Sequence, residues 1–429
     1  MSGHRSFLAT ASLALAGLLT LRGAALSPSP STLAVPGRTN ANVSLASQDA
    51  FVAAAWSAAL PDGTTDIFGA TSVDGGRVFT APVRVNRTPG DARVNGEQPP
   101  RAALVRRADG PPLLSIVWTS KGKDGTAIVT ARSDDGGRTF GETTLVPGGE
   151  ATGNRGWENV SADAQGRVRV LWLDHREMAM AMPPAGAEHH HGHDASADAK
   201  KDSADAAQAS KLYIATIGDA SSPRLLLGGV CYCCKTAIVS GGDGTLYAAW
   251  RHVFPGNLRD IAFMASRDGG RTFGRPIRVS EDQWHLEGCP DDGPAMAVDG
   301  GNTVHLVWPT LVTDGPQGQP SIGIFYATSA DGGAFSPRAR VPTEGLPHHP
   351  QIIVSGGTIY LAWDELKNGT RQAVVARRAV KETAAPFTRT VLGTDAPGIY
   401  PSIAAVRAGA LAAWSSGKED AVIRITTVR

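Results

Sequence analysis

The sequence predicts an all-β chain folded as a seven-bladed β-propeller, and three observations predict it. A short apolar segment ending in Trp recurs seven times: Phe51–Trp56, Leu114–Trp118, Val168–Trp172, Leu246–Trp250, Val304–Trp308, Ile359–Trp363 and Ala410–Trp414. A turn phrase built on Asp-Gly-Gly recurs four times. The 429 residues include 50 glycines and 28 prolines, a composition suited to many short strands and tight turns.

Each Trp segment follows an extended stretch and a Gly-containing turn, as in Ala237–Ser240, Gly241–Thr245 and Leu246–Trp250. After most of them come a third strand and a fourth, such as Pro276–Ser280. Four strands repeated every roughly 50 to 80 residues make a propeller blade, and seven Trp strands make seven blades. The last unit shows three strands, Tyr400–Val406, Ala410–Trp414 and Ala421–Val428. Its outer strand is expected from Ser31–Pro36, which closes the ring and removes an exposed sheet edge. Six blades plus a stray unit is the alternative count.

The turn phrase reads Ser72-Val-Asp74-Gly-Gly-Arg-Val-Phe79, Ser133-Asp-Asp135-Gly-Gly-Arg-Thr-Phe140, Ser266-Arg-Asp268-Gly-Gly-Arg-Thr-Phe273 and, one residue shorter, Ser329-Ala-Asp331-Gly-Gly-Ala-Phe335. Glycine reaches the positive φ that such turns need, and the Asp carboxylate can accept bonds from the N–H groups of its own turn. The Phe can fold back as an apolar plug. The phrase resembles the Asp box, or BNR repeat, of sialidase-like β-propellers. These Asp residues are read as turn-holders without chemistry.

The N-terminus carries His4 and Arg5, an apolar run from Phe7 to Leu21, and Gly23-Ala24-Ala25. This reads as a secretory signal over residues 1–25, with one propeller domain over 26–429 and a periplasmic or secreted location. No later run is long enough to span a bilayer. A net charge of +1 offers no basic face for nucleic acid, and a monomer is expected. Residues 183–210 are rich in Ala, Asp, Lys and His without an aromatic residue, and read as a disordered insertion in the third blade.

In a propeller the strands of each blade run A to D outward from the axis and alternate in direction. The A–B and C–D turns share one face, and the B–C and D–A loops share the other. The Asp boxes are C–D turns. The opposite loops carry Asp174-His175-Arg176-Glu177, Arg251-His252 and Asp364-Glu365. Segments leading into A strands carry Trp157-Glu158-Asn159, Cys231 to Cys234, His285 to Cys289 with Asp291 and Asp292, His348-His349, and Tyr400. Of eleven His residues only His4 and His305 fall elsewhere, so this face is the functional candidate.

Two constellations on it suit a soft metal. Met178, Met180 and Met182 alternate just ahead of His189, His190, His191 and His193. Thioether suits Cu(I) and imidazole suits Cu(II), so copper is favoured over zinc or nickel. The second constellation is Cys231, Cys233 and Cys234 with Cys289, on segments leading into neighbouring A strands. Four thiols can hold a soft ion, or form disulfides in an oxidising compartment, with Cys289 bridging to the cluster as a staple between blades. Both readings stand.

The Cys-x-Cys-Cys and Gly-Cys-Pro segments, with Arg259-Asp260-Ile261 between them, resemble a bacterial subgroup of sialidase-like proteins often labelled exo-α-sialidase. The match covers roughly residues 155 to 310. That resemblance implies a Tyr nucleophile with a Glu partner, an Asp acid/base and an Arg triad that clamps a substrate carboxylate. The matching positions are Tyr400 as nucleophile, Asp174 or Asp364 as the acid, Glu177 or Glu158 as the Tyr partner, and Arg176, Arg251, Arg259 and Arg371 as candidates for the clamp. The Arg-Ile-Pro signature of the family is absent. The sequence therefore supports an exported metal-binding propeller first. An exo-acting hydrolase of acidic glycans and a non-catalytic scaffold for a protein partner are the alternatives.

Overall fold

The computed structural model describes residues 30–150, 152–178, 207–286, 290–313 and 319–429. Seven four-stranded antiparallel sheets make seven blades. Blade 1 is β2 (Thr39–Gln48), β3 (Phe51–Ala59), β4 (Thr65–Ser72) and β5 (Val83–Arg84), in that order outward. Blade 7 takes its outer strand from the N-terminus: β1 (Ser31–Leu33) pairs with β28 (Val422–Val428), Thr32 opposite Arg424. This is the closure expected from the sequence, and it excludes the six-bladed count.

The B strands are buried on both faces, which is why they read as apolar runs instead of alternating. Every residue of β3 but the last is buried. All seven B-strand Trp side chains are at most 1% exposed, and they form the cores of the blade interfaces. A buried indole N–H needs an acceptor, and the loop face supplies several. Trp56 donates to Asn40 Oδ1 at 3.0 Å, Trp308 to Asp282 Oδ2 at 2.7 Å and Trp363 to Glu365 Oε2 at 3.0 Å.

The Asp boxes lie between C and D strands, as expected. Asp74 Oδ1 accepts the Ser72 hydroxyl at 2.7 Å and the N–H groups of Arg77 and Val78 at 2.9 and 3.0 Å. Asp135 and Asp268 repeat the pattern and add a Thr hydroxyl, Thr139 at 2.7 Å and Thr272 at 2.6 Å. The plug crosses between blades, since Phe140 of blade 2 sits against Gly69 of blade 1. The four boxed blades have D strands of two residues, whereas the box-free blades 3 and 6 have five. The box thus anchors the blade edge where ladder pairing is short.

Among the described residues, no helix is long and apolar enough to cross a membrane. The signal segment and residues 183–206 lie outside the described residues.

Candidate functional site

Four A strands break register at the same height near the axis. The breaks fall between Ala41 and Ser44 in β2, Gly156 and Asn159 in β10 (Arg155–Ala162), His348 and Gln351 in β22 (Leu346–Ser355), and Ile399 and Ser402 in β26 (Gly398–Val406). Each bulge holds one non-glycine residue at positive φ: Asn42 at 58°, Trp157 at 54°, His349 at 56° and Tyr400 at 50°. A bulge re-aims a side chain, and left-handed backbone at such residues costs on the order of 1–3 kcal/mol. The repeated strain is offset by stitching between blades. Arg101 Nε donates to Glu158 O at 3.1 Å, Asn159 Nδ2 to Thr236 O at 2.8 Å, and Leu45 N to Ser402 Oγ at 2.9 Å.

The bulges of blades 6 and 7 build one wall of an axial cleft of about 230 Å³, which Asp291, His348, His349, Asp364, Arg371 and Tyr400 line. Asp364 organises that wall. Its Oδ1 takes His349 Nδ1 at 2.6 Å and the Tyr400 N–H at 3.3 Å, and its Oδ2 takes Arg371 Nη1 at 2.7 Å. The His349 and Tyr400 rings meet at 4.4 Å. Tyr400 also lies so close to Gly96 that a Cβ there would stand 1.9 Å from its ring.

A second carboxylate, Asp292, ties the cleft to its neighbours. Its side chain meets Lys235 Nζ at 3.4 Å, His348 Nδ1 at 3.2 Å and the His349 N–H at 2.9 Å. Glu97 completes the set, with Lys235 Nζ at 3.2 Å. Burial raises the Asp292 carboxyl, but Lys235 and the two histidines outweigh it and hold it well below the usual carboxylate range. Burial disfavours a charged His349, yet the bond to Asp364 and the surrounding carboxylates raise its pKa above the ordinary value. Burial and the carboxylates of Asp364 and Glu97 push the Tyr400 phenol up.

Next to Lys235 stands the cysteine cluster. Sulfur atoms of Cys231, Cys233 and Cys234 are 3.6 to 3.9 Å apart, and all three residues are buried. Cys231 and Cys234 are free thiols, and Cys233 has a further partner. Arg259, itself fully buried, donates from Nη1 to Cys231 Sγ at 3.4 Å. The Cys234 hydrogen bond draws the Cys231 thiol down in spite of burial, helped by Arg259 and Arg251. Burial and the bond to Cys231 push Cys234 up. Trp157 packs on the cluster and brings its ring within 5.2 Å of His175. The Met178 N–H bonds to His175 O at 3.0 Å, so the insertion departs from this spot. Its far end returns here too, because Gln208 lies beside Gly229, two residues before Cys231.

The residues expected to form a sialidase-type site are separated. Tyr400 lines the cleft, and the arginine beside it is Arg371. Asp174 is buried under Trp172, paired with Arg155 at 3.1 Å and Arg176 at 2.6 Å. Glu177 is half-exposed and meets Lys211 at 3.3 Å. Arg251 spends its guanidinium on the carbonyls of Asp292, Arg259 and Pro309. None of these five lines the Tyr400 cleft, because Arg251 and Arg259 belong to the cysteine pocket and the others to blade 3. Met178 is buried at the root of the insertion. Met180, Met182, His189, His190, His191, His193 and Cys289 lie outside the described residues.

Glu97 and Lys235 were not among the expected site residues. A signal for them was present in the recurring Xaa-Pro at the head of A strands: Pro99-Pro100, Gly293-Pro294, His349-Pro350 and Tyr400-Pro401. That repeat marks a ring of equivalent positions around the axis, and the two residues border it.

No family model matches the chain, and no curated protein does. Solved structures match in shape. A protein of unknown function from Dyadobacter fermentans DSM 18053 is 14% identical, covering 94% of this chain and 99% of its own, with a TM-score of 0.51. An ulvan lyase of polysaccharide lyase family PL25 is 11% identical, covering 91% and 94%, with a TM-score of 0.55. The chain is a β-propeller. An intramolecular trans-sialidase from Ruminococcus gnavus aligns at 11% identity over 79% of this propeller and 94% of its own chain, with a TM-score of 0.47.

Proposed function

We propose that this propeller is an exported protein that binds a soft transition metal, copper before zinc or nickel, with Cys231 and Cys234 as its thiolate core. The observation that carries this reading is the 3.6 Å separation of the two free thiols beside the Arg259 guanidinium. Metal–sulfur bonds of about 2.3 Å in a tetrahedral site put ligand sulfurs roughly 3.8 Å apart, so little rearrangement is needed. Adjacent guanidinium charge favours the thiolate, which is the ligating form. Met178 and Gln208, the described residues flanking the insertion, lie near this pocket, and in this reading Met180, Met182, His189, His190, His191 and His193 supply further thioether and imidazole ligands for copper. Cys289 is the partner of Cys233 in this reading, a disulfide that staples blades 4 and 5.

Elemental mass spectrometry after dialysis against Cu(I), zinc or nickel tests it, with the wild type compared with a Cys231→Ser/Cys234→Ser variant and a deletion of residues 179–194. The expected result is about one tightly held copper per chain, lost in the Ser variant and held less tightly in the deletion. A metal-free wild type overturns the reading.

The cleft supports a second reading, an exo-acting hydrolase of acidic sugars such as sialic acid, because a phenol, an imidazole and a guanidinium converge at Tyr400, His349 and Arg371. Fluorophore release from a sialoside, lost in Tyr400→Phe, is its test. If neither metal nor glycan binds, the loop face serves as a docking scaffold.

A further inference from the structure

We infer that His348 and His349 form a second metal site, distinct from the thiols, which takes a divalent d-block cation in the axial cleft. Both side chains line the same cleft. Each ring has its Nδ1 held by a carboxylate, His348 by Asp292 at 3.2 Å and His349 by Asp364 at 2.6 Å. An ionised carboxylate only accepts, so Nδ1 carries the hydrogen and donates it, and in the neutral ring the lone pair is on Nε2, on the side away from the carboxylate. Among the described residues no protein group hydrogen-bonds either Nε2. Metal-ligating histidines almost always donate the rear N–H to a carboxylate, a backbone carbonyl or water, which fixes the tautomer and makes the imidazole a stronger donor, and here the acceptor is a carboxylate. Here it occurs twice in consecutive residues.

The spacing permits one ion. The ring centroids are 5.5 Å apart and the planes differ by 36°. Two imidazoles on one cation, with metal–nitrogen bonds of about 2.0–2.1 Å, sit at comparable separation. The carboxylates are anchored in turn, Asp292 by Lys235 and the His349 N–H, and Asp364 by Arg371 and the Tyr400 N–H. The bulge, with His349 at φ 56°, makes two successive side chains face one cavity, which a regular strand with alternating sides does not allow. Imidazole and water donors suit Cu(II), Ni(II) or Zn(II), with Cu(II) held most tightly. Binding displaces any proton on Nε2 to solvent.

Equilibrium dialysis of the full chain against Cu(II), with electron paramagnetic resonance of the bound ion, tests the site. The wild type is expected to bind one more Cu(II) per chain than His348→Ala or His349→Asn, and nitrogen splitting from two imidazoles disappears with that ion. Asn tolerates the left-handed backbone of position 349, and an unchanged melting temperature verifies that each variant folds. Asp364→Asn should weaken this ion roughly 10- to 100-fold with its stoichiometry retained at saturation. Equal copper content and equal spectra in wild type and both His variants overturn the inference. The Cys231→Ser/Cys234→Ser protein separates the two metal readings. Loss of Cu(I) uptake with Cu(II) retained at the cleft supports both. Retention of this Cu(II) in a chain that never bound Cu(I) supports the histidine site alone.

Discussion

His349 and Tyr400 occupy equivalent bulge positions in neighbouring blades, and their rings meet at a centroid distance of 4.4 Å. The pair exists because Gly96, from blade 2, leaves room for the phenol on its far side. A Cβ at position 96 would stand 1.9 to 2.2 Å from three atoms of the Tyr400 ring. The ring cannot swing aside freely, since its backbone is fixed by the bulge and by the bond from its N–H to Asp364. Gly96→Ala should therefore cost about 1–3 kcal/mol, as overpacking does, and abolish any activity that depends on Tyr400. Urea denaturation measures the first effect, and an unchanged midpoint would show that the phenol does not lie on Gly96.

Glu158 gives a pH dependence with a definite sign. It is fully buried, and burial raises its pKa from 4.5 to about 7 against the smaller opposing effects of Thr119 and Arg101. The folded state therefore holds a proton that the unfolded state has released between pH 4.5 and 7. Stability from this group falls as pH rises through that window, and the loss is complete above it. The shift corresponds to a penalty on the order of 3 kcal/mol at pH 8. Glu158→Gln should match the wild type near pH 4.5 and exceed it progressively toward pH 8. Parallel stability curves for the two proteins across that range would refute the assignment.

Much of this architecture is legible in the sequence because it repeats. Trp at the end of each B strand and Asp-Gly-Gly at four C–D turns are local signals, and the outer strand at Ser31 follows from counting. The loop face was legible too, since His348, His349, Asp364 and Tyr400 fall on it by topology alone. Their pairing was not. Asp364 reaches His349 and Tyr400 only because two bulges turn strand residues into the axis, and a bulge has a weak sequence signature. Lys235 reads as a flank of the cysteine segment, and Glu97 belongs to no motif. Both acquire meaning only when blades 2, 4 and 5 converge on Asp292. Of the arginines expected on this face, Arg371 meets Asp364 in the cleft, whereas Arg251 is held by the carbonyls of Asp292, Arg259 and Pro309, and Arg259 by Asn257 and Cys231.

The Asp boxes should behave as turn devices. Asp135 Oδ1 accepts the Ser133 hydroxyl and two backbone N–H groups, and Oδ2 accepts Thr139. The Thr139 hydroxyl leads the causes that lower its pKa to about 2 from 3.8. A depressed carboxyl contributes stability that is fully present above pH 3.8 and is lost as pH falls through about 2. The site is open to solvent, so Asp135→Ala should cost only about 1–2 kcal/mol. By comparison, Trp118→Ala in the core of the same blade should cost about 3–5 kcal/mol. Metal content should be unchanged in the Asp variant. Loss of copper on Asp135→Ala, in a protein that still melts cooperatively, would contradict the division of labour between the two faces.

Ring closure rests on very little pairing. β1 contributes three residues to the outer edge of blade 7, and only Leu33 among them is buried. Asn40 supports the closure by donating from Nδ2 to Ala421 O at 3.2 Å and accepting the Val35 N–H at 2.9 Å. Removing residues 26–36 would delete Val35, keep the bond from Asn40 to Ala421 between blades 1 and 7, and strip the edge of β28. An unpaired strand edge is a template for pairing with another chain. The truncated protein should melt several degrees lower and should associate in a concentration-dependent way, whereas Leu33→Ala alone should lower the melting temperature without association. Light scattering alongside calorimetry distinguishes the two outcomes. A truncated chain that stays monomeric with an unchanged transition would mean that the ring is held shut by the contacts between blades 7 and 1 without the outer strand.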